Sequence, residues 1–386
     1  MSSARHIGAE ERRARLGVRQ LLAPGHLADS PEAVAEALVA LHGSDPATVY
    51  LSIAARTGTV DASAVEQALY EDRTLVRMHA MRRTVFVFPA DLVPTVQAST
   101  TDTIAQRERK TLVSLIGTQG FDDARLAAAE KAVLAALAEG PATGSELGAA
   151  VPELRSRFVY GEGKAYESTQ SLGTRLLTLM AMEGRIVRGR PRGSWISGQF
   201  RWSLAPEAAA VTREHAQQEL VRRWLTAYGP GTEADLKWWT GWPAGQVRKA
   251  LAGIGAEAVT LDEGPGHVLP GDTEPVATPE PWAALLPALD PAPMARRFRD
   301  WFLDPAHRPE LFDRSGNIGA TVWWNGRVIG AWAQRADGEI VLRLFGDPGT
   351  EARTAVDAET ARVAAWLGDT RVTPRFRTQT ERELTA

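Results

Sequence analysis

The chain has 386 residues, of which 44% are hydrophobic and 24% charged, and its formal net charge is −3. These values are ordinary for a globular protein with more than one core, and they neither favour nor exclude nucleic acid, because DNA binding needs only a local positive face. The absence of cysteine excludes disulfides, thiolate metal sites and a cysteine nucleophile, and it fits a reducing, cytoplasmic setting.

The sequence contains no motif for a metal site, a cofactor site or a membrane span. The seven histidines are scattered and form no HExxH pair, so we expect neither a metal nor another cofactor. The first residues, MSSARHIGAEERRAR, contain no apolar stretch, and no apolar run elsewhere is long enough to span a membrane. We therefore expect no signal peptide, no membrane contact and a cytoplasmic protein.

Residues 1–116 are predicted to form a first unit of helices followed by a strand. Asp29-Ser30-Pro31 caps one helix, and Pro46 begins the next. The predicted elements are helices over Glu32–Leu41, from Pro46, over Ala64–Tyr70 and over Leu75–Met81, a strand over Thr84–Phe88, and a helix over Ala90–Leu115. Helices that lead into an apolar strand are typical of a winged helix-turn-helix unit.

Two further units repeat this order without strong sequence repetition. After a linker at Gly117–Asp123, residues 124–206 contain three helical segments and an arginine-rich hairpin after Gly184. Residues 207–271 contain helices over His215–Tyr228 and Ala244–Ile254, with a short strand, Ala258–Leu261, behind them. We therefore predict three tandem winged-helix units.

The pattern changes to alternation beyond a second linker, Gly271–Glu280. Asn325-Gly326 is a hairpin turn between alternating apolar residues, and a helix, Thr350–Trp366, precedes a predicted terminal strand near Arg371–Arg377. Residues 281–386 should thus form a β-rich, barrel-like domain. The predicted fold class is α+β.

Several segments resemble one bacterial winged-helix family, the AlkZ-like and YcaQ-like DNA glycosylases that act in alkylation repair and antibiotic self-resistance. The matching segments follow the family's order along nearly the whole chain: Leu75-Val-Arg77, Met81-Arg82-Arg83-Thr84, Ala234 through Gly241, Leu285 through Pro291, Gly316-Asn317-Ile318 and Val322 through Trp332. The resemblance implies a concave channel for double-stranded DNA and hydrolysis of the N-glycosidic bond of bulky N7-alkylguanine adducts.

The expected active site departs from the family's pattern. Where these glycosylases commonly carry Gln-x-Gln or Gln-x-Asp, this chain has His42-Gly43-Ser44, followed by Asp45. His42 is the predicted base or water-positioning group, Ser44 can orient the water, and Asp45 can offset positive charge on the sugar. The alternatives are structural: Asp45 can serve only as a helix N-cap, and His42 can bond a carbonyl at a helix end.

Eight arginines are predicted to contact DNA. The arginines of the hairpin after Gly184 have no acidic residue among them, which is typical of a cationic wing that contacts phosphates. A charged hairpin that only faces solvent would have the same sequence pattern. The predicted residues are Arg77, Arg82, Arg83, Arg185, Arg188, Arg190, Arg192 and Arg201. Arg296, Arg297 and Arg299 form a weaker cluster, as do Arg371, Arg375 and Arg377, and the tryptophans are expected to pack rather than to stack on bases.

Three functions remain open from the sequence. The first is a monofunctional DNA glycosylase without a cofactor. The second is a non-catalytic DNA-binding or regulatory protein that lost activity with the glutamine pair, and the third is an enzyme on another nucleic-acid substrate. A regulator would usually be a dimer that reads two half-sites, and no dimerisation helix is visible, so we expect a monomer.

Overall fold

The computed structural model describes residues 4–117, 120–161, 163–165, 167–207 and 209–386 as a mixed α/β protein. Residues 118 and 119 of the first predicted linker lie outside this part of the chain. None of the helices described is both long and apolar enough to cross a lipid bilayer.

The first part of the chain surrounds a small antiparallel sheet. Its elements are α1 (Ala9–Arg19), α2 (Pro31–Ala37), β1 (Leu41–His42), α3 (Pro46–Ala54), α4 (Ala62–Glu66), β2 (Leu75–His79), β3 (Val85–Pro89), α5 (Val93–Val96) and α6 (Asp102–Gly117). The strand order is β1-β3-β2. Pro31 and Pro46 each begin a helix, with the side chains of Ser30 and Asp45 as the N-caps.

Two predictions for this region are wrong. Leu75–Met81 is not a helix, because Leu75–His79 pairs with β3 as one strand of a hairpin. The turn follows from Arg82 and Arg83, whose φ angles of 54° and 64° cannot continue a helix. The helix expected to reach Leu41 ends at Ala37, and His42 lies in β1 opposite Phe86 rather than at a helix end.

The second part has its own core. Its elements are α7 (Asp123–Ala138), β4 (Ala142–Thr143), α8 (Gly144–Ala150), β5 (Arg157–Tyr160), β6 (Ser168–Ser171), α9 (Leu172–Met182), β7 (Ile186–Pro191) and β8 (Phe200–Leu204). Thr143 and Glu146 form a capping box at α8, and Val133, Leu176 and Trp202 lie in the core. The three expected helices and the hairpin are present, and the β5–β6 hairpin was not predicted.

The third part shares its core with the first. Its elements are α10 (Arg213–Tyr228), α11 (Glu233–Thr240), α12 (Ala244–Gly253), β9 (Glu257–Leu261) and β10 (Gly264–Val268). Trp224 and Trp239 pack in one cluster with Phe86 and Phe88 of β3. These hydrophobic contacts join residues of the predicted first and third units. The predicted domain boundaries stay a prediction.

The last part is an open sheet rather than a barrel. Its elements are β11 (Ala283–Leu286), α13 (Pro291–Met294), α14 (Arg308–Leu311), β12 (Thr321–Trp324), β13 (Arg327–Gln334), β14 (Ile340–Leu344), α15 (Thr350–Leu367) and α16 (Gln379–Leu384). The strand order is β11-β12-β13-β14, with the predicted hairpin at Asn325-Gly326. The expected barrel does not close, because the four strands form one open sheet, with α15 packed against β11 and β12.

The terminal segment 371–377 is also not a strand. Pro374 interrupts this segment, and proline cannot donate to a strand ladder. The segment instead runs back to the first part of the chain, where the Arg375 N–H donates to Asp45 Oδ2 at 2.8 Å.

A buried ion pair joins the first and last parts. The Arg56 guanidinium donates to both carboxylate oxygens of Asp290, at 2.7 and 2.8 Å, and both side chains are 0% exposed. Ser52 Oγ also donates to Asp290 Oδ2 at 2.7 Å. Since Arg56 follows α3 and Asp290 caps α13, the pair fixes the distance between these two elements.

Candidate active site

His42 lies at a cleft of about 480 Å³ that we call the His42 cleft. Strand β1 carries His42, and the β2–β3 turn brings Arg82 to the same cleft. The remaining walls come from the end of α11, the segment after α13, and the region around α14. The lining residues are His42, Arg82, Thr84, Trp238, Met294, Arg297, Arg299, Arg308, Phe312, Ser315, Gly316 and Asn317.

The His42 ring is held edge-on against Phe86, with 5.0 Å between the ring centroids. Only 4% of the residue is exposed. Burial, and secondarily the positive charge of Arg82, lowers the pKa of His42 to about 4. His42 is therefore neutral at physiological pH, where it can hold a water molecule or a base edge by hydrogen bonding.

The Ser44 backbone N–H faces His42 Nδ1 at 3.5 Å, a long contact. This direction places Nδ1 as the acceptor and favours the ring proton on Nε2. In that tautomer His42 offers the cleft a hydrogen-bond donor.

The cleft wall is cationic and aromatic. The guanidinium groups of Arg82 and Arg299 lie 4.1 and 4.8 Å from the centroid of the Trp238 ring. Gly241, with a φ of 75°, ends α11 beside the aliphatic stem of Arg82, where a Cβ would lie 3.4 Å from Arg82 Cγ. Glycine therefore permits both the left-handed backbone and the close approach.

Arg299 is poised for an anion. Its Nε donates to the Pro293 carbonyl at 2.8 Å, but its buried Nη2 has no hydrogen-bond partner among the residues described. Burial, with the charge of Arg308 second, lowers the pKa of Arg299 to about 10, which still leaves it charged. Among the cleft-lining residues of the described chain there is no carboxylate, so a phosphate would meet a lining whose charged groups are all positive.

Asp235 holds the backbone of the segment that carries Arg297 and Arg299. One of its carboxylate oxygens accepts the backbone N–H groups of Arg297 and Phe298, at 2.8 and 3.0 Å. Its other oxygen accepts the Thr232 N–H at the start of α11. The carboxylate thereby ties the segment after α13 to the helix that carries Trp238.

Ser44 and Asp45 do not line the His42 cleft. Asp45 Oδ1 accepts the Ala47 N–H at 3.1 Å, and its other oxygen accepts the Arg375 N–H. Arg375 also donates from its side chain to the Ser44 carbonyl at 3.3 Å. The structure thus gives Asp45 the capping role that the sequence left open, and it brings only His42 of the three predicted catalytic residues to the cleft.

A sequence profile described as "DNA glycosylase AlkZ-like" matches residues 35–366, most of the chain. The chain belongs to the AlkZ-like DNA glycosylase family. The resemblance seen in the sequence is therefore confirmed.

A solved structure shares the fold of this AlkZ-like chain. The Streptomyces sahachiroi DNA glycosylase AlkZ superposes with a TM-score of 0.73 at 21% sequence identity, over 96% of this chain and 99% of that one. At this identity the likeness shows the fold alone. Among curated proteins, none matches this sequence.

The predicted DNA-binding arginines of the AlkZ-like chain lie in different environments. Arg82 lines the His42 cleft. Arg83 is exposed and pairs with Glu108 at 2.8 Å, and Arg185 pairs with Glu130 at 2.5 Å.

The arginines of the β7–β8 hairpin also differ in their pairing and exposure. Arg190 pairs with Glu66 and Glu71, at 3.2 and 2.7 Å. Arg77 and Arg188 are withdrawn into a separate cavity between the first two parts of the chain, whereas Arg192 and Arg201, which line the same cavity, are exposed. The eight residues therefore do not form one continuous surface.

The sequence interpretation missed part of the cleft. Arg297 and Arg299 belong to a cluster that seemed weak, Trp238 was expected to pack, and Arg308 was not considered. The run Arg296-Arg297-Phe298-Arg299 was the available signal, since it places three arginines within four residues. Arg308, which pairs with Asp300, stands alone in sequence and gave none.

Metal ligation has no candidate in the described ranges. No three histidine, aspartate or glutamate side chains there come close enough together to share an ion.

Proposed function

We propose that this AlkZ-like chain is a DNA glycosylase that excises bulky N7-alkylguanine adducts, or related crosslinks, from duplex DNA in repair or antibiotic self-resistance. The observation that carries the proposal is a buried, neutral His42 at a cleft whose walls hold four arginines. A volume of about 480 Å³ lies in the range of pockets that enclose a small ligand. A flipped nucleotide is a ligand of this kind.

The proposed binding mode follows from the charges. The phosphates that flank the flipped nucleotide would contact Arg82, Arg299 and their neighbours, because these groups face the cleft without a lining carboxylate. Trp238 offers an apolar ring at the same wall. The bound phosphates also offset the positive field around an alkylated base, which itself carries a positive charge.

The proposed chemistry asks little of a general acid. An N7-alkylguanine leaves as a neutral base, and the electrons of the broken C1′–N9 bond go to that base. Water then forms the new bond to C1′ of the oxocarbenium-like sugar and loses its proton to solvent. His42 holds this water by a hydrogen bond, a role that suits a ring whose pKa is near 4 better than proton removal does.

The proposed architecture has the repeated order helix, strand, helix, helix, strand, strand. It occurs as α2-β1-α3-α4-β2-β3 and again as α7-β4-α8-α9-β7-β8, where the β5–β6 hairpin is inserted between α8 and α9. The third part repeats it if the isolated bridge Gly231–His267 replaces the first strand ahead of α11, α12, β9 and β10. This order is that of winged-helix units, and on it Arg82 lies at the tip of the first wing. We further propose a cytoplasmic monomer on one duplex site.

The test is release of free base from a duplex that carries one N7-alkylguanine, at fixed salt. His42→Ala should lower excision by about 10²–10⁴-fold, with binding to the same duplex nearly unchanged. His42→Gln, which restores a family residue, should retain part of the activity. His215→Ala, an exposed histidine on α10, is the matched control and should excise as the wild type does.

A second function is favoured by one observation. Neither Ser44 nor Asp45 reaches the cleft, so the family's second hydrogen-bonding side chain has no evident replacement there. A non-catalytic DNA-binding or regulatory protein would show this arrangement. Wild-type protein that binds the adducted duplex but releases no base over long incubation would establish this second function instead.

A further inference from the structure

A second cavity, larger than the His42 cleft, lies between the first two parts of the chain. Its volume is about 700 Å³, and we call it the Arg77 cavity. Strand β2 and the helical turn before it form one wall, and β7 with its following turn forms the other. Much of the lining is apolar, with Leu69, Val76, Met78, Val93 and Ile186 among its residues.

Arg77 is buried in this wall without an adequate partner. The residue is 7% exposed, and its Nε and Nη2 atoms have no hydrogen-bond partner within the described part of the chain. A buried cation normally pairs with an anion, because its desolvation costs several kcal/mol. The nearby acids Glu66 and Glu71 are already paired with Arg190.

Arg188 lines the same cavity and repeats the pattern. Its Nε has no partner in the described ranges, and its one polar side-chain contact there is Nη2 to His79 Nε2 at 3.4 Å. The guanidinium also lies over the rings of Phe200 and Trp202, at 4.4 and 5.6 Å from their centroids. The charges of Arg77 and Arg375 help to lower the pKa of Arg188, after burial as the main cause, so the group lies in a field that an anion would relieve.

We propose that the Arg77 cavity binds a small amphiphilic anion, with one carboxylate, sulfonate or phosphate group on Arg77 and Arg188 and an apolar body against the surrounding side chains. A planar guanidinium suits such oxyanions, since it can donate two parallel hydrogen bonds. A duplex phosphate fits less well, because Arg77 is withdrawn from the surface whereas Arg73, Arg192 and Arg201 are exposed. The site is independent of the chemistry proposed for His42.

Calorimetric titration of the full chain tests this proposal with decanoate, naphthalene-2-sulfonate and phenyl phosphate. Decanol and inorganic phosphate serve as the matched probes that lack the charge or the apolar body. At least one of the three amphiphiles should bind tenfold or more tightly than both matched probes. No binding tighter than millimolar by any of the three would overturn the proposal.

Two variants locate the binding. Arg77→Met should weaken the best amphiphile by about tenfold or more, whereas Arg248→Met, an exposed arginine on α12 that does not line the cavity, should leave it unchanged. If Arg77→Met does not fold, Val76→Trp fills the cavity from the same strand and should abolish binding while keeping β-propensity. Unchanged affinity in the folded variants would place the ligand elsewhere and refute the site.

Competition with unmodified duplex DNA separates the two sources of an oxyanion. A small-molecule site should keep its affinity for the amphiphile at saturating duplex. If the duplex displaces the amphiphile, and Arg77→Met weakens the duplex by a similar factor, the anion is a DNA phosphate and the small-molecule proposal is wrong. The base-release assay on His42 variants is unaffected by either result, so the two proposals fail separately.

Discussion

Replacing Asp290 by asparagine keeps the shape of the side chain but removes its charge from a completely buried pair. Arg56 would keep its hydrogen bonds to the carbonyls of Gln20 and Ser52, at 3.0 and 2.8 Å, but its charge would face a neutral amide. Both partners of the native pair are 0% exposed, so water cannot take the place of the lost carboxylate. Breaking one half of such a pair costs about 3–5 kcal/mol.

Urea unfolding followed by tryptophan fluorescence would measure this loss as a lower midpoint at a similar slope. Asp347→Asn is the control, because Asp347 pairs with Arg353 at 3.1 Å while its side chain is 79% exposed, and its midpoint should hardly move. The double variant Arg56→Met, Asp290→Leu should recover much of the loss, since it leaves no buried charge. If Asp290→Asn were as mild as the control, the argument from the unpaired guanidinium would be refuted.

Three further outcomes are expected. Because the folded pKa of His42 is about 4 instead of the usual 6.5, a pH-rate profile of kcat/KM should be flat through pH 6.5. The free energy of unfolding should fall as the pH drops from 6.5 towards 4, because in this range the unfolded chain binds a proton at His42 and the folded chain does not, and unfolding at several pH values measures this loss. Arg299→Gln should weaken duplex binding and reduce its salt slope by about one, as measured by titration at several salt concentrations. Asp45→Asn should lower the unfolding midpoint and leave the salt slope of duplex binding unchanged. In one orientation of the new amide, its NH₂ group faces the Arg375 N–H, and in the other the accepting oxygen carries no charge, so the hydrogen bond to Arg375 is lost or weakened.

Features with a local cause could be predicted from the sequence. Ser30 with Pro31, and Thr143 with Glu146, cap helices by contacts within one turn, and Asn325-Gly326 makes its hairpin turn with the left-handed φ angles that these residues tolerate. The family resemblance was equally readable, because its segments are spread along the chain in order. These features can be recognised without knowing which distant segments pack against them.

Features with a distant cause could not be predicted. Leu75–His79 has the residues of a helix as much as of a strand, and its pairing with β3 decides between them. The barrel prediction failed because the last sheet has only four strands and stays open, which alternation along each strand cannot show. At the candidate site, His42 could be named from its position in the family pattern, but the Trp238 and Arg299 walls come from segments remote in sequence.

The packing of α3 has a consequence for how the chain is made. Ala47 and Leu51 of this helix lie in one hydrophobic cluster with Leu285, Val322 and Trp332. At bacterial or eukaryotic elongation rates, the ribosome delivers these partners only after tens of seconds. Until then α3 exposes an apolar face, and strand β1, which carries His42, has no fixed wall opposite it. A chain stalled before the last sheet should therefore depend on chaperones to avoid aggregation, and the His42 cleft should be among the last features of the nascent protein to form.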